Sequence, residues 1–112
     1  QWAYAEFMEK KEKYLTLANF YQERRDLFLS LIQDSRFKPL PCRGTYFQML
    51  SYESISDEND IDFARRMTTE YGVAAIPPSV FYSRGDDHKT LRFCFAKKDE
   101  TLIKAAEKLC KI

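Results

Sequence analysis

The stretch Leu91-Arg92-Phe93-Cys94-Phe95-Ala96 sets one guanidinium into an otherwise apolar run. Side chains alternate along a strand, so Leu91, Phe93 and Phe95 share one face, and Arg92, Cys94 and Ala96 share the other. The spacing predicts an arginine projecting away from an aromatic core, beside two small side chains that leave room for a ligand. A planar guanidinium in such a notch can grip a carboxylate with two parallel hydrogen bonds. On the strand alone, a solvated arginine is the simpler reading, because exposure is this residue's default.

Other reactive chemistry is sparse. Cys42, Cys94 and Cys110 are odd in number, widely spaced and form no CxxC pair. With a single histidine, His88, no metal-ligating spacing emerges. Free thiols suit a reducing cytosol, so a cytoplasmic protein is expected. Eighteen basic residues against seventeen acidic ones give a net charge of +1. The bases are interleaved with acids, as in Glu9-Lys10-Lys11-Glu12-Lys13, which reads as a solvated helix face. Nucleic acid and membrane surfaces are therefore not expected partners. There is no apolar run of membrane-spanning length and no signal-peptide pattern.

The elements that must position Arg92 follow from periodicity. The 112 residues suffice for one domain. Residues 2–12 and 15–34 read as helices, the second with Leu17, Phe20, Tyr21, Leu27, Phe28 and Leu31 at helical spacing. Pro39 and Pro41 exclude a helix over 36–43. Gly44 is expected to permit a turn before a strand over 45–50. Asp60 is expected to cap a helix over about 61–71 that Gly72 stops. Val73–Ile76 is a short apolar segment expected to be a strand before Pro77-Pro78, and Gly85-Asp86-Asp87 reverses the chain ahead of the Arg92 strand. Asp99 is expected to cap a last helix, with Leu102, Ala105, Ala106 and Leu109 inward. The order predicts an α/β (α+β) two-layer sandwich, a small antiparallel or mixed sheet covered by helices.

Three segments in this order carry a resemblance. Tyr21-Gln22-Glu23-Arg24-Arg25-Asp26 leads to Gly44-Thr45-Tyr46-Phe47; Gly72-Val73-Ala74-Ala75-Ile76-Pro77 runs on to Phe81-Tyr82; and Leu91–Ala96 continues through Lys97-Lys98-Asp99-Glu100-Thr101-Leu102. Together they resemble the C-terminal small domain of class I/II, fold-type-I pyridoxal-phosphate aminotransferases. Within that group they are most similar to the kynurenine, glutamine and methionine aminotransferase branch. The resemblance implies that residues 1–14 end an interdomain helix region and that 15–112 form the small domain. It implies that Arg92 binds the substrate α-carboxylate, with Tyr46, Phe47 and Pro77 as further residues near the cleft. Tyr46 and Phe47 point to opposite strand faces, so at most one should line a site.

The same resemblance implies pyridoxal 5′-phosphate in the intact enzyme. Its covalent lysine and phosphate cradle would belong to a large domain, because no glycine-rich phosphate loop or Ser-Lys segment of the family's kind occurs here. The ten lysines all lie in polar stretches. No catalytic, cofactor-binding or metal-binding residue is expected in this chain, no cofactor is expected on it alone, and alone it should not transaminate. The implied partners are an amino or keto acid, the enzyme's own large domain, and a second copy in a homodimer. Opening on Gln1 and the apolar Trp2, Tyr4, Phe7 and Met8 also suggests a piece of a longer protein. Two alternatives are a stand-alone α/β module that binds amino acids through Arg92, and an oligomerisation piece built on those apolar residues.

Overall fold

The computed structural model describes residues 1–112. Three strands form one antiparallel sheet in the order β1 (Lys38–Pro39), β2 (Phe47–Ser51), β3 (Thr90–Cys94). Register pairs Phe47 with Cys94, Gln48 with Phe93, Met49 with Arg92 and Leu50 with Leu91. Gln48, Leu50, Leu91 and Phe93 are buried, as is Phe95 just beyond β3, whereas Phe47, Met49, Arg92 and Cys94 are half-buried. One face of the sheet is thus core and the other stays partly open, which is the alternation expected from the sequence.

Helices cover the core face. In α3 (Leu17–Leu31) and α5 (Asp99–Leu109), Phe28, Leu102, Ala106 and Leu109 are buried. Phe28 and Phe37 both approach Phe93, with ring centroids 6.3 and 6.0 Å away. Phe37 also stacks on Phe63 of α4 (Asp60–Arg66), which sits 4.3 Å from Tyr52. Fully buried rings of this size each contribute about 1.5–3 kcal/mol, so this aromatic chain dominates the core. The result is a two-layer α/β fold.

Several expectations need correction. The N-terminal helix breaks at Lys10 (φ −93, ψ 74) into α1 (Trp2–Glu9) and α2 (Lys11–Tyr14), neither of which buries a residue. Without tertiary packing, short helices have little to keep them continuous. Leu17 and Phe20, expected inward, are 42% and 45% exposed, so the apolar stripe of α3 is used only toward its C-terminal end. The proline-rich 36–43 segment adds β1 at the sheet edge, the position that strand proline tolerates. Val73–Ile76 forms no strand beyond a single bridge from Ile76 to Arg92. The turn before β2 falls not on Gly44 but on Thr45, whose φ of 73° is unusual for a β-branched residue.

Both expected caps shift by one residue. Asn59, with extended backbone, accepts from the Asp62 N–H at 2.9 Å and is the true cap of α4. Lys98 precedes α5 without a side-chain cap, and Asp99 instead forms an ion pair with Arg24. Gly72 does stop its helix, in the left-handed conformation (φ 64, ψ 35), after a π-helical turn over Met67–Tyr71.

The 54–59 loop is tied down by polar contacts. Tyr52 Oη donates to the Glu58 carbonyl at 2.8 Å, and Ser56 Oγ donates to Glu58 Oε1 at 2.9 Å. Burial, helped by Asp87, Asp60 and Glu58, pushes the Tyr52 phenol above its ordinary range. Arg66 meets Glu58 at 2.5 Å. Its hydrogen bond, then that of Ser56, holds the Glu58 carboxyl below the usual glutamate range.

Two predictions follow from local geometry. Thr45→Asn should raise stability by about 0.5–1 kcal/mol and Gly72→Ala should lower it by about 1 kcal/mol, because asparagine tolerates the left-handed region and alanine does not. The alanine Cβ would also meet Lys108 Nζ at 3.1 Å, a flexible neighbour that can give way, so backbone strain sets the cost. Urea midpoints of the two variants moving in the same direction would contradict this.

The second concerns acid. Because Glu58 is held ionised more strongly in the folded state than in the unfolded chain, its contribution is complete above the unfolded glutamate value of about 4.3 and fades as pH falls through the lower folded value. Glu58→Gln should therefore flatten the decline of the urea midpoint below about pH 4.5. An unchanged decline would assign the acid sensitivity to other carboxylates.

Candidate functional site

Arg92 occupies the middle of β3, fixed on both sides by backbone pairing. It faces Met49 of β2 in register, and on the other side it exchanges two hydrogen bonds with Ile76, at 2.9 and 3.0 Å. Its side chain leaves the sheet on the open face. The guanidinium carbon lies 4.0 Å from the Phe47 ring centroid and 5.1 Å from that of Phe81. Aromatic faces attract such a cation while leaving its N–H groups free for an anion.

Those donors have no protein acceptor. Arg24, Arg25, Arg36, Arg65 and Arg66 each pair with a carboxylate or a carbonyl. Arg92 makes no ion pair, and its Nε is buried without any hydrogen-bond partner. Buried donors are normally satisfied, and Ser35 Oγ, Gln48 Oε1 and Arg66 Nε share this condition, but unlike Arg66 the Arg92 guanidinium has no other donor paired either.

A cavity of about 480 Å³ opens beside it. Phe47, Val73, Ile76, Phe93 and Leu102 supply apolar walls, and Arg92, Lys97, Lys104 and Lys108 supply cations. No aspartate or glutamate lines it. Lys97, exposed just before α5, is part of that cationic rim. Such a lining suits an anion that carries an apolar body.

The other candidate residues are dispersed around this centre. Phe47 is the member of the Tyr46–Phe47 pair that lies against Arg92. Tyr46 lines a separate cavity of about 450 Å³ with Tyr21 and Arg25, although the Tyr46 and Phe47 centroids are only 4.5 Å apart. Pro77 does not line the Arg92 cavity; it is half-buried and extended (φ −75, ψ 121) at the start of a 3-10 turn over Pro78–Phe81. That turn delivers Phe81, which periodicity did not single out. A Pro-Pro pair is a turn signal, but which ring the turn aims at Arg92 depends on tertiary packing.

This constellation belongs to a known architecture. The class I and II aminotransferase family matches residues 1–109. The chain is a member of that family. It is 47% identical over 98 residues to a methionine aminotransferase of Escherichia coli K12, covering 88% of this chain and 25% of that protein. It is 37% identical over 123 residues to a kynurenine–oxoglutarate transaminase of Dictyostelium discoideum, covering 91% and 28%. The crystal structure of a methionine aminotransferase from Escherichia coli superposes with a TM-score of 0.86 at 46% identity, over 90% of this chain and 27% of that one. An N-succinyldiaminopimelate aminotransferase from Mycobacterium tuberculosis superposes with a TM-score of 0.75 at 29% identity, over 86% and 25%. The chain therefore spans about a quarter of the length of these relatives. The methionine and kynurenine aminotransferases are the branch expected from its motifs.

Intact aminotransferases of this family use pyridoxal 5′-phosphate. The residues of this chain do not by themselves fit that group. None of its lysines is buried, and the half-buried Lys89 already donates to the Asp57 and Glu58 carbonyls at 2.7 and 2.8 Å. An amine that bonds covalently to a carbonyl cofactor needs a desolvated setting to lose its proton, which these lysines lack. What this aminotransferase segment presents is a half-buried guanidinium beside an apolar cavity rimmed by lysines. No helix of the chain is long and apolar enough to cross a membrane.

Proposed function

We propose that this chain is the carboxylate-binding and closing portion of a pyridoxal-phosphate aminotransferase that exchanges an amino group between an amino acid and a 2-oxo acid. The observation that carries the reading is Arg92, with its Nε buried and unpartnered beside an acid-free cavity. An α-carboxylate placed there would accept two parallel hydrogen bonds from the guanidinium, and Phe47 would restrict the plane in which it binds. Binding at one end orients the rest of the substrate, which is how positioning contributes to rate.

Residues outside this chain supply the covalent lysine and the cofactor's phosphate cradle in this reading, and the chain alone is inactive and holds no cofactor. Residues 1–14 end the interdomain helix region, and 15–112 are the small domain that closes over the reacting centre. The intact enzyme works as a homodimer. The free thiols of Cys42, Cys94 and Cys110 favour a cytoplasmic setting. The names of the methionine and kynurenine relatives, together with Phe47 and Phe81 beside Arg92, favour substrates with a sizeable apolar side chain.

A hybrid enzyme tests this directly. This chain replaces the matching quarter of the Escherichia coli methionine aminotransferase, and transamination of L-methionine is measured. Arg92→Ala in the hybrid should raise KM by on the order of a hundredfold or more, as expected when a desolvated charge pair loses one partner. Cofactor absorbance should stay unchanged. An unaltered KM would remove Arg92 from the site. Calorimetry on the chain by itself should find amino-acid binding no tighter than about millimolar, as for one anchor without the rest of its site; micromolar affinity would favour a stand-alone binding module instead.

A further inference from the structure

We propose that Asp60 is a positioning residue for Arg92: its buried carboxylate latches the Pro78–Phe81 turn, and the latched turn sets Phe81 against the guanidinium. This deepens, and rests on, the reading of Arg92 as the carboxylate anchor.

Asp60 is only 2% exposed and lies at the first position of α4, yet it does not cap that helix. Its Oδ2 accepts from the Ser79 backbone N–H at 2.8 Å, and its Oδ1 accepts from Ser79 Oγ at 2.6 Å. It forms no salt bridge. Desolvating a carboxylate without a cation costs several kcal/mol, so a purely structural contact at this place would be served as well by an apolar pair. The two bonds reach across nineteen residues to one serine, and that serine sits in the turn beside Arg92.

The turn needs such an anchor. It is a single short 3-10 turn whose bonds at its two ends are long, Val80 N–H on the Pro77 carbonyl at 3.5 Å and Tyr82 N–H on the Ser79 carbonyl at 3.2 Å. Upstream, the chain is pinned where Ile76 pairs with the Arg92 backbone. Downstream of Pro78 the pin is Ser79 on Asp60. Between these two fixed points the chain has little freedom, and two residues past Ser79 the Phe81 ring stands 5.1 Å from the guanidinium carbon. Phe81 is 64% exposed, so burial does not hold it there. The turn's own geometry does.

The test reads Arg92 directly. The Nε–Hε resonance of Arg92 is followed by 1H–15N NMR in the full chain, since it senses the nearby rings, and L-methionine is titrated at millimolar concentration. Asp60→Ala should move that resonance and weaken binding about two- to fivefold, the range of an exposed cation–π contact, while the methyl signals of Leu50, Leu91 and Leu109 stay in place. Asp60→Asn should keep both near wild type, because its amide can accept from the Ser79 N–H and donate to Ser79 Oγ. Phe81→Leu, at an exposed site that folding does not depend on, should weaken binding as Asp60→Ala does.

If Asp60→Ala does not fold, Ser79→Ala carries the same expectation, as it retains the carboxylate and removes one of its two bonds. Wild-type resonance and titration in Phe81→Leu, or in the folded latch variant, would overturn the proposal. So would Asp60→Asn behaving like Asp60→Ala. Arg92→Gln, followed through the backbone amides of β3, separates the two layers: if it binds L-methionine like wild type, the carboxylate reading falls, and the latch stands or falls on the Arg92 resonance in the Asp60 and Ser79 variants.

Discussion

Pairing between β2 and β3 holds Leu91 against Leu50 and Phe93 against Gln48, and that register decides which way every side chain on the sheet points. Side chains repeat every two residues, so a slip of one position would turn Arg92 into the aromatic layer and Phe93 out of it. Both halves of that exchange are unfavourable. A guanidinium without a partner would lose its hydration, and a ring that contacts Phe28 and Phe37 would be returned to water. The forces that build the core therefore also deliver the arginine to the open face. The Ile76 bridge on the far side of β3 adds a second restraint on the same residue.

Charge is distributed unevenly although its total is nearly balanced. Acids and bases neutralise one another along the helices and in pairs such as Glu58 with Arg66 and Asp99 with Arg24. Around Arg92 this balance is absent, and the cavity carries cations alone. A net charge of +1 therefore describes how the whole chain meets solvent and says little about the local field. Arg24, Arg25, Arg36, Arg65 and Arg66 have donors engaged by the fold, whereas the half-buried Arg92 has none engaged.

Much of the framework was readable from local pattern. The alternation around Arg92 and the buried stripe of α5 both follow from periodicity, and Gly72 stops its helix because glycine alone adopts a left-handed conformation freely. Less of the site was readable. Phe47 and Arg92 could be named from the chain, but Phe81 meets the guanidinium only through a turn whose anchor lies nineteen residues away in Asp60. The same distance explains why Asp60 looked like a cap: its local sequence is that of a cap, and Asn59 beside it serves that need. Thr45, rather than Gly44, takes the unusual backbone conformation, a choice no propensity would make. The two-residue strand β1 is too short to carry any period at all.

An anchor with unspent donors has a consequence for the solution around it. A guanidinium reads charge, planarity and spacing, and these are shared by every small carboxylate, so in the proposed role Arg92 by itself would be a generic receptor. Choosing one acid over another falls to the surrounding walls, of which this chain contributes Phe47 and Phe81. Acetate, formate or citrate in a buffer would then compete for the same seat as the proposed substrate. Selectivity at such a site would then be a property of the medium as much as of the molecule.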